Sequence, residues 1–205
     1  MDEESSQITQ QKEKDMNICV YGASSNKIDK KYIAAGEELG RLLAAAGHTL
    51  VFGGGDNGLM GAAARGVAEK GGKIIGVAPS FFNVDGILFQ NCTEFIYTET
   101  MRERKAKMEE LSDAFVMTAG GIGTFEEFFE ILTLKQLGRH QKPIAVLNTN
   151  GYFDSLLSQL SECVKGEFMT EKCLNLFTVC ETPRDVLSAL TAENKTGGIE
   201  EYKNI

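Results

Sequence analysis

The sequence lacks any long hydrophobic run. No stretch approaches the roughly 18 consecutive apolar residues that a transmembrane helix requires, so we expect no membrane association. The first fifteen residues are polar and contain no apolar core, so we expect no signal peptide. Together these features predict a cytoplasmic protein.

The sequence is also short of positive charge. Its 21 Lys and Arg residues stand against 29 Asp and Glu residues, for a formal net charge of -8. A surface of this sign repels nucleic-acid phosphates, which argues against general nucleic-acid binding. A single anionic ligand stays possible, because a ring of backbone amides can hold one phosphate.

Paired cysteines and clustered histidines are missing as well. The five cysteines are odd in number and never form a C-x-x-C pair: Cys19, Cys92, Cys163, Cys173 and Cys180. This pattern is typical of reduced cytosolic thiols and not of a disulfide framework or a zinc site. The two histidines, His48 and His140, have no spacing suited to a metal or a catalytic triad. We therefore expect no metal.

Short apolar runs alternate with helical patterns through most of the chain. Its length, its 42% apolar residues and its 24% charged residues suit one packed domain. Strands such as Thr49–Phe52 are largely apolar, as in a parallel sheet covered by helices. The same patterning predicts a strand at Asn17–Tyr21, a helix at Lys31–Ala46 that Gly47 stops, and a helix at Thr124–Leu137. We predict an α/β fold: a single Rossmann-like domain over residues 16–191, mostly parallel, with helices on both faces. Residues 1–15 are predicted to be a flexible arm, and residues 192–205 a tail.

Two of the predicted strands end in glycine clusters that lead into helices. The first reads TLVFGGGDNGLMG, around Gly53–Gly55, and the second reads FVMTAGGIGTFEE. Since ligands of parallel sheets bind beyond the carboxyl ends of strands, we place the site between these loops. Gly120, Gly121 and Gly123, with the Thr124 hydroxyl, suit a phosphate at a helix N-terminus. One double-glycine turn is often only a tight connection, but two at equivalent positions favour a binding site.

Two familiar phosphate-binding motifs do not fit. The pattern G-x-x-x-x-G-K-[ST] does not occur, which excludes a P-loop ATPase. Residues 53–58 match G-x-G-x-x-G, but a dinucleotide site also needs an acidic residue at the end of the next strand. That strand ends Gly76-Val77-Ala78-Pro79, without an acid.

The charged residues near the second loop each have a simpler structural interpretation. Thr124 and Glu127 have the spacing of a capping box, so Glu127 could serve only as a helix cap. Arg104 and Lys105 lie in the charged segment Met101–Ser112, which taken alone suits a solvated helix face.

Three motifs, taken together, carry a resemblance to a known family. M-x-x-R-K-x-x-M is intact at Met101–Met108, and G-G-G-x-x-G-L-M-G is intact at Gly53–Gly61. P-G-G-x-G-T-x-x-E is read at Ala119–Glu127, with alanine in place of proline. From Asn17 to Leu190 the chain resembles the Lonely Guy family, the cytokinin riboside 5'-monophosphate phosphoribohydrolases. Alanine at position 119 lacks the restraint that proline places on φ, but the replacement removes no hydrogen-bonding group, so we expect little functional change.

The resemblance implies hydrolysis of the N-glycosidic bond of a purine nucleoside 5'-monophosphate, of the cytokinin or adenosine type. It implies that Arg104 and Glu127 are the catalytic pair, that no cofactor is needed and that the protein is a homodimer. The predicted substrate-binding residues are Lys105, Gly120, Gly121, Ile122, Gly123, Thr124, Phe125, Glu126 and Thr133, with Gly54, Gly55 and Met60 on the side toward which the base would extend. The alternative is a non-hydrolytic nucleotide carrier or sensor on the same fold.

Two further points concern the family name and the base. The family is often called "lysine decarboxylase", but that reaction needs pyridoxal phosphate held on a lysine, for which the sequence makes no local case. The irregular stretch Ser80–Glu94, which includes Asp85, could shape a base pocket or serve only as core or dimer contact.

Overall fold

The computed structural model describes residues 15–83 and 86–192 of the chain. The predicted arm and tail lie almost entirely outside these ranges, and Asp85 lies outside them too.

The core of the fold is a seven-stranded sheet in which every pair of neighbouring strands is parallel. The strands are β1 (Asn17–Tyr21), β2 (Thr49–Phe52), β3 (Ile74–Pro79), β4 (Glu94–Thr98), β5 (Ala114–Met117), β6 (Ile144–Leu147) and β7 (Thr178–Cys180). Their order across the sheet is β4-β3-β2-β1-β5-β6-β7. The predicted parallel α/β fold is confirmed.

Helices cover the two faces of this sheet. They are α1 (Lys30–Ala45), α2 (Gly58–Glu69), α3 (Met101–Leu111), α4 (Ile122–Gln136), α5 (Asp154–Lys165) and α6 (Pro183–Thr191). No described helix is both long and apolar enough to cross a membrane.

Successive residues of each strand point to opposite faces, and this divides the core into two layers. Val20 of β1 belongs to the layer that includes Leu39 of α1. Cys19, its neighbour, belongs to the other layer, with Met108 of α3 and Phe128 of α4. The central strands are largely apolar because both of their faces are buried, whereas the edge strands β4 and β7 are partly exposed.

Local signals set the ends of α1. The Asp29 carboxylate accepts a hydrogen bond from the Lys31 N–H at 3.0 Å, which caps the start of the helix. Just past its end, Gly47 has φ +84°, a left-handed conformation that glycine adopts without strain. The prediction that Gly47 stops this helix is therefore confirmed.

The direction of winding reverses between β1 and β5, at the centre of the sheet. From β1 the chain builds outward through β2, β3 and β4, and from β5 it builds the other way. In open parallel sheets, a crevice forms at the carboxyl ends of the strands where this reversal occurs. Here it lies among the segments that follow β1, β2 and β5.

Candidate functional site

A cavity of about 640 Å³ occupies this crevice. Its volume falls within the range of roughly 300–1,000 Å³ that is usual for small-molecule sites. Its lining residues are Gly22, Ala23, Ser24, Gly53, Gly55, Asn57, Met60, Phe82, Ile87, Leu88, Met101, Arg104, Gly121, Ile122, Gly123, Thr124 and Glu127. The structure thus brings both predicted glycine loops to one cavity.

The N-terminus of α4 opens onto the cavity. Its first intrahelical bond runs from the Phe125 N–H to the Gly121 carbonyl, at 3.0 Å. The N–H groups of Ile122, Gly123 and Thr124 precede that bond, and no side chain in the described residues caps the helix. These amides, with the positive end of the helix dipole, suit an anion.

The N-terminus of α2, behind the first glycine loop, is already occupied. The Leu59 N–H donates to the Ala23 carbonyl at 2.8 Å, and the Gly58 N–H donates to Asn26 Oδ1, also at 2.8 Å. Gly54 has φ +77°, and an added Cβ would lie 2.6 Å from Cζ of Phe95. The first loop is therefore a tightly packed wall, and of the two loops it is the second that leaves helix N–H groups open to the cavity.

The capping-box interpretation of Glu127 is wrong. Helix α4 begins two residues earlier than predicted, at Ile122, with Gly121 as its N-cap. Thr124 consequently lies inside the first turn and cannot act as the N-cap. Glu127 is in the second turn, where its side chain is free to turn toward another element.

That other element is α3, which supplies Arg104. The Nη1 group of Arg104 donates to Glu127 Oε1 at 2.7 Å, and its Nε donates to the Val77 carbonyl at 3.2 Å. Arg104 is 6% exposed and Glu127 is 9% exposed. The solvated-face interpretation of α3 is therefore wrong for Arg104, although it holds for Lys107, which pairs with Glu110 at 3.0 Å.

Burial dominates the electrostatics of Glu127. Removal from water raises the pKa of this carboxyl above its ordinary value, while the charge and hydrogen bond of Arg104 act in the opposite direction. A buried carboxylate with a specific charge partner in a cavity is a typical arrangement for a general base.

Sequence comparison places this arrangement in a family. A family model described as "Possible lysine decarboxylase" matches residues 60–190. A probable cytokinin riboside 5'-monophosphate phosphoribohydrolase of Oryza sativa subsp. japonica is 39% identical over 175 residues, covering 85% of this chain and 70% of the relative. A cytokinin riboside 5'-monophosphate phosphoribohydrolase of Arabidopsis thaliana is 36% identical over 194 residues, covering 95% and 86%. The chain belongs to the Lonely Guy family.

Solved structures with the same fold carry other names. A molybdenum cofactor binding protein from Rippkaea orientalis superposes with a TM-score of 0.66 at 24% identity, covering 85% of this chain and 94% of that one. The molybdenum cofactor carrier protein of Chlamydomonas reinhardtii gives 0.65 at 23% identity, covering 86% and 96%. At these identities the likeness shows the fold alone.

Half of the predicted substrate-binding residues line the cavity. Those that line it are Gly55, Met60, Gly121, Ile122, Gly123 and Thr124, together with the predicted catalytic pair. Those that do not line it are Lys105, Gly54, Gly120, Phe125, Glu126 and Thr133. The roles of both sets in substrate binding stay predictions.

The residues outside the cavity have contacts of their own. Lys105 pairs with Glu126 and with Glu130, the latter at 2.9 Å, and so links α3 to α4. Thr133 is exposed on α4. Gly120 is buried, and a Cβ there would overlap the Thr124 side chain.

Sequence reasoning missed the segment that follows β1. Gly22, Ala23 and Ser24 all line the cavity of the Lonely Guy chain. The available signal was a glycine and two serines directly after the first buried strand, Gly22-Ala23-Ser24-Ser25. This segment reaches the cavity because β1 lies between β2 and β5 in the sheet. The order of strands in a sheet cannot be predicted from a local sequence pattern.

Proposed function

We propose that this protein hydrolyses the N-glycosidic bond of a purine nucleoside 5'-monophosphate, releasing the free base and ribose 5-phosphate. The observation that carries the proposal is the buried Arg104–Glu127 pair, which shares one cavity with the open N-terminus of α4. Relatives at 36–39% identity are named for this reaction. The protein is an N-glycosidase and not a lysine decarboxylase.

The substrate phosphate binds at the start of α4. The unpaired N–H groups of Ile122, Gly123 and Thr124 donate to its oxygens, and the helix dipole adds roughly half a positive charge. A Cβ at Gly121 or Gly123 would meet nothing within 4 Å, so the space over this turn is open. This local arrangement binds an anion despite the net charge of -8.

Glu127 acts on the sugar. Glycosidic cleavage passes through a state that carries positive charge on the ribose ring, and a neighbouring carboxylate stabilises that charge. Glu127 also accepts a proton from the attacking water as the water oxygen bonds to the anomeric carbon. The bond to the base breaks, and the base leaves with the bonding electrons and takes up a proton.

Arg104 holds Glu127 in place. Its guanidinium donates to the Glu127 carboxylate through Nη1, while the Val77 carbonyl fixes its Nε. A planar guanidinium that is hydrogen-bonded at two points sets the direction of the carboxylate. The ammonium group of a lysine has no such planar geometry and could not do so.

The base lies against the apolar part of the cavity wall. Met60, Phe82, Leu88 and Met101 supply this surface, which suits the flat face of a purine. We therefore expect the base to extend from the α4 side, where the phosphate is bound, toward Met60.

Direct assay with two nucleotides tests the proposal. Purified protein is incubated with AMP, and separately with isopentenyladenosine monophosphate, and free base and ribose 5-phosphate are measured. Base release from either nucleotide is the expected result, and the ratio of the two rates identifies the preferred base.

Two variants complete the assay. Glu127→Ala should lower turnover by about 10²–10⁴-fold, the usual contribution of a general base. Glu110→Gln, which changes an exposed carboxylate on α3, should keep the parental rate. Near-normal turnover in Glu127→Ala would exclude Glu127 as the base. No release by the parental protein, with tight nucleotide binding, would instead favour a carrier or sensor.

We also propose that the protein is a cytoplasmic homodimer. Large apolar side chains are exposed at both ends of helix α4: Ile122, its first residue, is 87% exposed, and Leu137, its C-cap, is 57% exposed. Exposed apolar side chains of this kind suit a second copy packed against the helix. None of the five cysteines forms a disulfide in the described part of the chain, which supports a reducing compartment.

A further inference from the structure

Gly53, the first residue after β2, lies directly against the guanidinium of Arg104. A Cβ built on Gly53 would overlap Arg104 Nη2 and lie 3.1 Å from its Cζ. Any other residue at position 53 would therefore compete with the guanidinium for the same space.

The guanidinium has little freedom to move away. Its Nε is bonded to the Val77 carbonyl, and its Nη1 is bonded to Glu127. All its nitrogens lie in one plane, so a shift of Nη2 must tilt or slide the other two. Arg104 is also buried, and a broken hydrogen bond there would not be replaced by bulk water.

Position 53 excludes a side chain because the side chain would not fit, and not because the backbone there adopts a conformation that only glycine allows. Gly54 and Gly58 have φ of +77° and +61°, whereas Gly53 has no positive φ. Its backbone conformation is therefore open to any residue. The second neighbour of the added Cβ is Met60 Sδ, at 3.3 Å, which belongs to a flexible thioether able to adjust.

We propose that Gly53 is a positioning residue of the catalytic site: the absence of a side chain there sets the plane of the Arg104 guanidinium, and through it the direction of the Glu127 carboxylate. The kinetic consequence rests on the proposed function. The steric consequence does not, because it follows from the packing of Gly53 and Arg104 alone.

A double-mutant cycle between Gly53→Ala and Arg104→Lys tests this proposal. Lysine has no outer fork nitrogen, so the new methyl group no longer has Nη2 to displace. In the Arg104 background, Gly53→Ala should lower kcat/KM by about 10–100-fold, the scale of a misplaced catalytic group. In the Arg104→Lys background, the same change should alter kcat/KM by less than about 2-fold, since the guanidinium is already gone.

Thermal unfolding supplies a second readout that needs no catalysis. Overpacking of a buried site of this kind should lower the Tm of Gly53→Ala by about 3–10 °C with Arg104 present. Most of that loss should disappear in the Arg104→Lys background. Gly36→Ala is the matched control: its Cβ would lie 2.6 Å from Leu59 Cδ2 and away from Arg104, so it should change Tm equally in both backgrounds.

Each outcome of the cycle decides the proposal. It is overturned if Gly53→Ala has the same effect on Tm and kcat/KM in both backgrounds, or if it prevents folding in both. Folding of the double variant where Gly53→Ala alone does not fold supports it. If the parental protein hydrolyses no nucleotide and the Tm effects still depend on Arg104, the proposed function fails while the steric role of Gly53 stands.

Discussion

Burial of the Arg104–Glu127 pair costs free energy, and the position of the pair at the cavity gives a functional reason for that cost. Taking two charges out of water costs several kcal/mol per ion, and the attraction between them often does no more than balance that cost. A buried pair is thus weak evidence for stability. At the edge of a cavity, however, the pair holds a carboxylate in one direction, as the proposed hydrolysis of a glycosidic bond requires.

The pH dependence of the reaction follows from the state of Glu127. Burial raises the pKa of this carboxyl above its ordinary value of about 4.3. A general base must be ionised, so kcat/KM should fall as pH decreases through the raised pKa. The midpoint of that fall should lie above about pH 4.3. Measurement of kcat/KM between about pH 4 and 8, with circular dichroism as a check on folding, would locate it. Full activity down to about pH 4 would contradict the assignment of Glu127 as the base.

At the scale of elements, the turn after β6 supports the loop that precedes α4. Asn148 braces this turn: its Oδ1 accepts from the Phe153 N–H at 2.7 Å, and its Nδ2 donates to Asp154 at 2.8 Å. The turn presents Tyr152, whose hydroxyl donates to the Gly120 carbonyl at 2.7 Å. Gly120 immediately precedes the N-cap of α4, so this bond ties the proposed phosphate site to a separate turn that Asn148 braces.

Removal of the Tyr152 hydroxyl should loosen the phosphate site without unfolding the protein. Tyr152→Phe keeps the ring that packs edge-on against Tyr32, with centroids 5.5 Å apart. The lost hydrogen bond is worth about 0.5–1.5 kcal/mol, so we expect KM for the nucleotide to rise about 2–12-fold with little change in kcat.

Tyr97→Phe is the control for this measurement. The Tyr97 hydroxyl bonds to Asn83 at 3.4 Å, and neither residue lines the cavity, so KM should not change. A fall in kcat at constant KM in Tyr152→Phe would show that Tyr152 does not act through the phosphate.

At the scale of the whole molecule, the sheet order explains how remote motifs come together. The reversal between β1 and β5 gathers the segments after three strands at one edge. Arg104 on α3 reaches the same edge and pairs with Glu127 on α4, 23 residues further along the chain. Neither half of the sheet could form this site alone.

The proposed dimer gives a prediction at the same scale. Sedimentation should report a mass close to twice the chain's 22.4 kDa. Leu137→Glu, which places a charge at the exposed apolar residue that caps the end of α4, should shift the protein toward the monomer because an unpaired charge is costly to bury. A mass near 22.4 kDa for the parental protein at micromolar concentration would contradict the proposal.

Much of the fold could be predicted from local patterns. The predicted limits of β1 and β2 match the structure, and the stop at Gly47 was expected. These features depend on side-chain periodicity and on backbone conformations that neighbouring residues impose. The three glycine-rich and charged motifs likewise identify the Lonely Guy family without any tertiary contact.

Packing decided what those patterns left open. From the residues alone, Glu127 could equally have been a helix cap and Arg104 a surface residue; their contact settled both questions. The two glycine loops look alike in sequence, yet only the start of α4 is open, because Ala23 and Asn26 occupy the start of α2. The restriction to glycine at position 53 arises only because an arginine from a distant helix occupies the space beside it. Local sequence determines which conformations a segment prefers, but which polar groups lose water and which stay free depends on the elements packed against them.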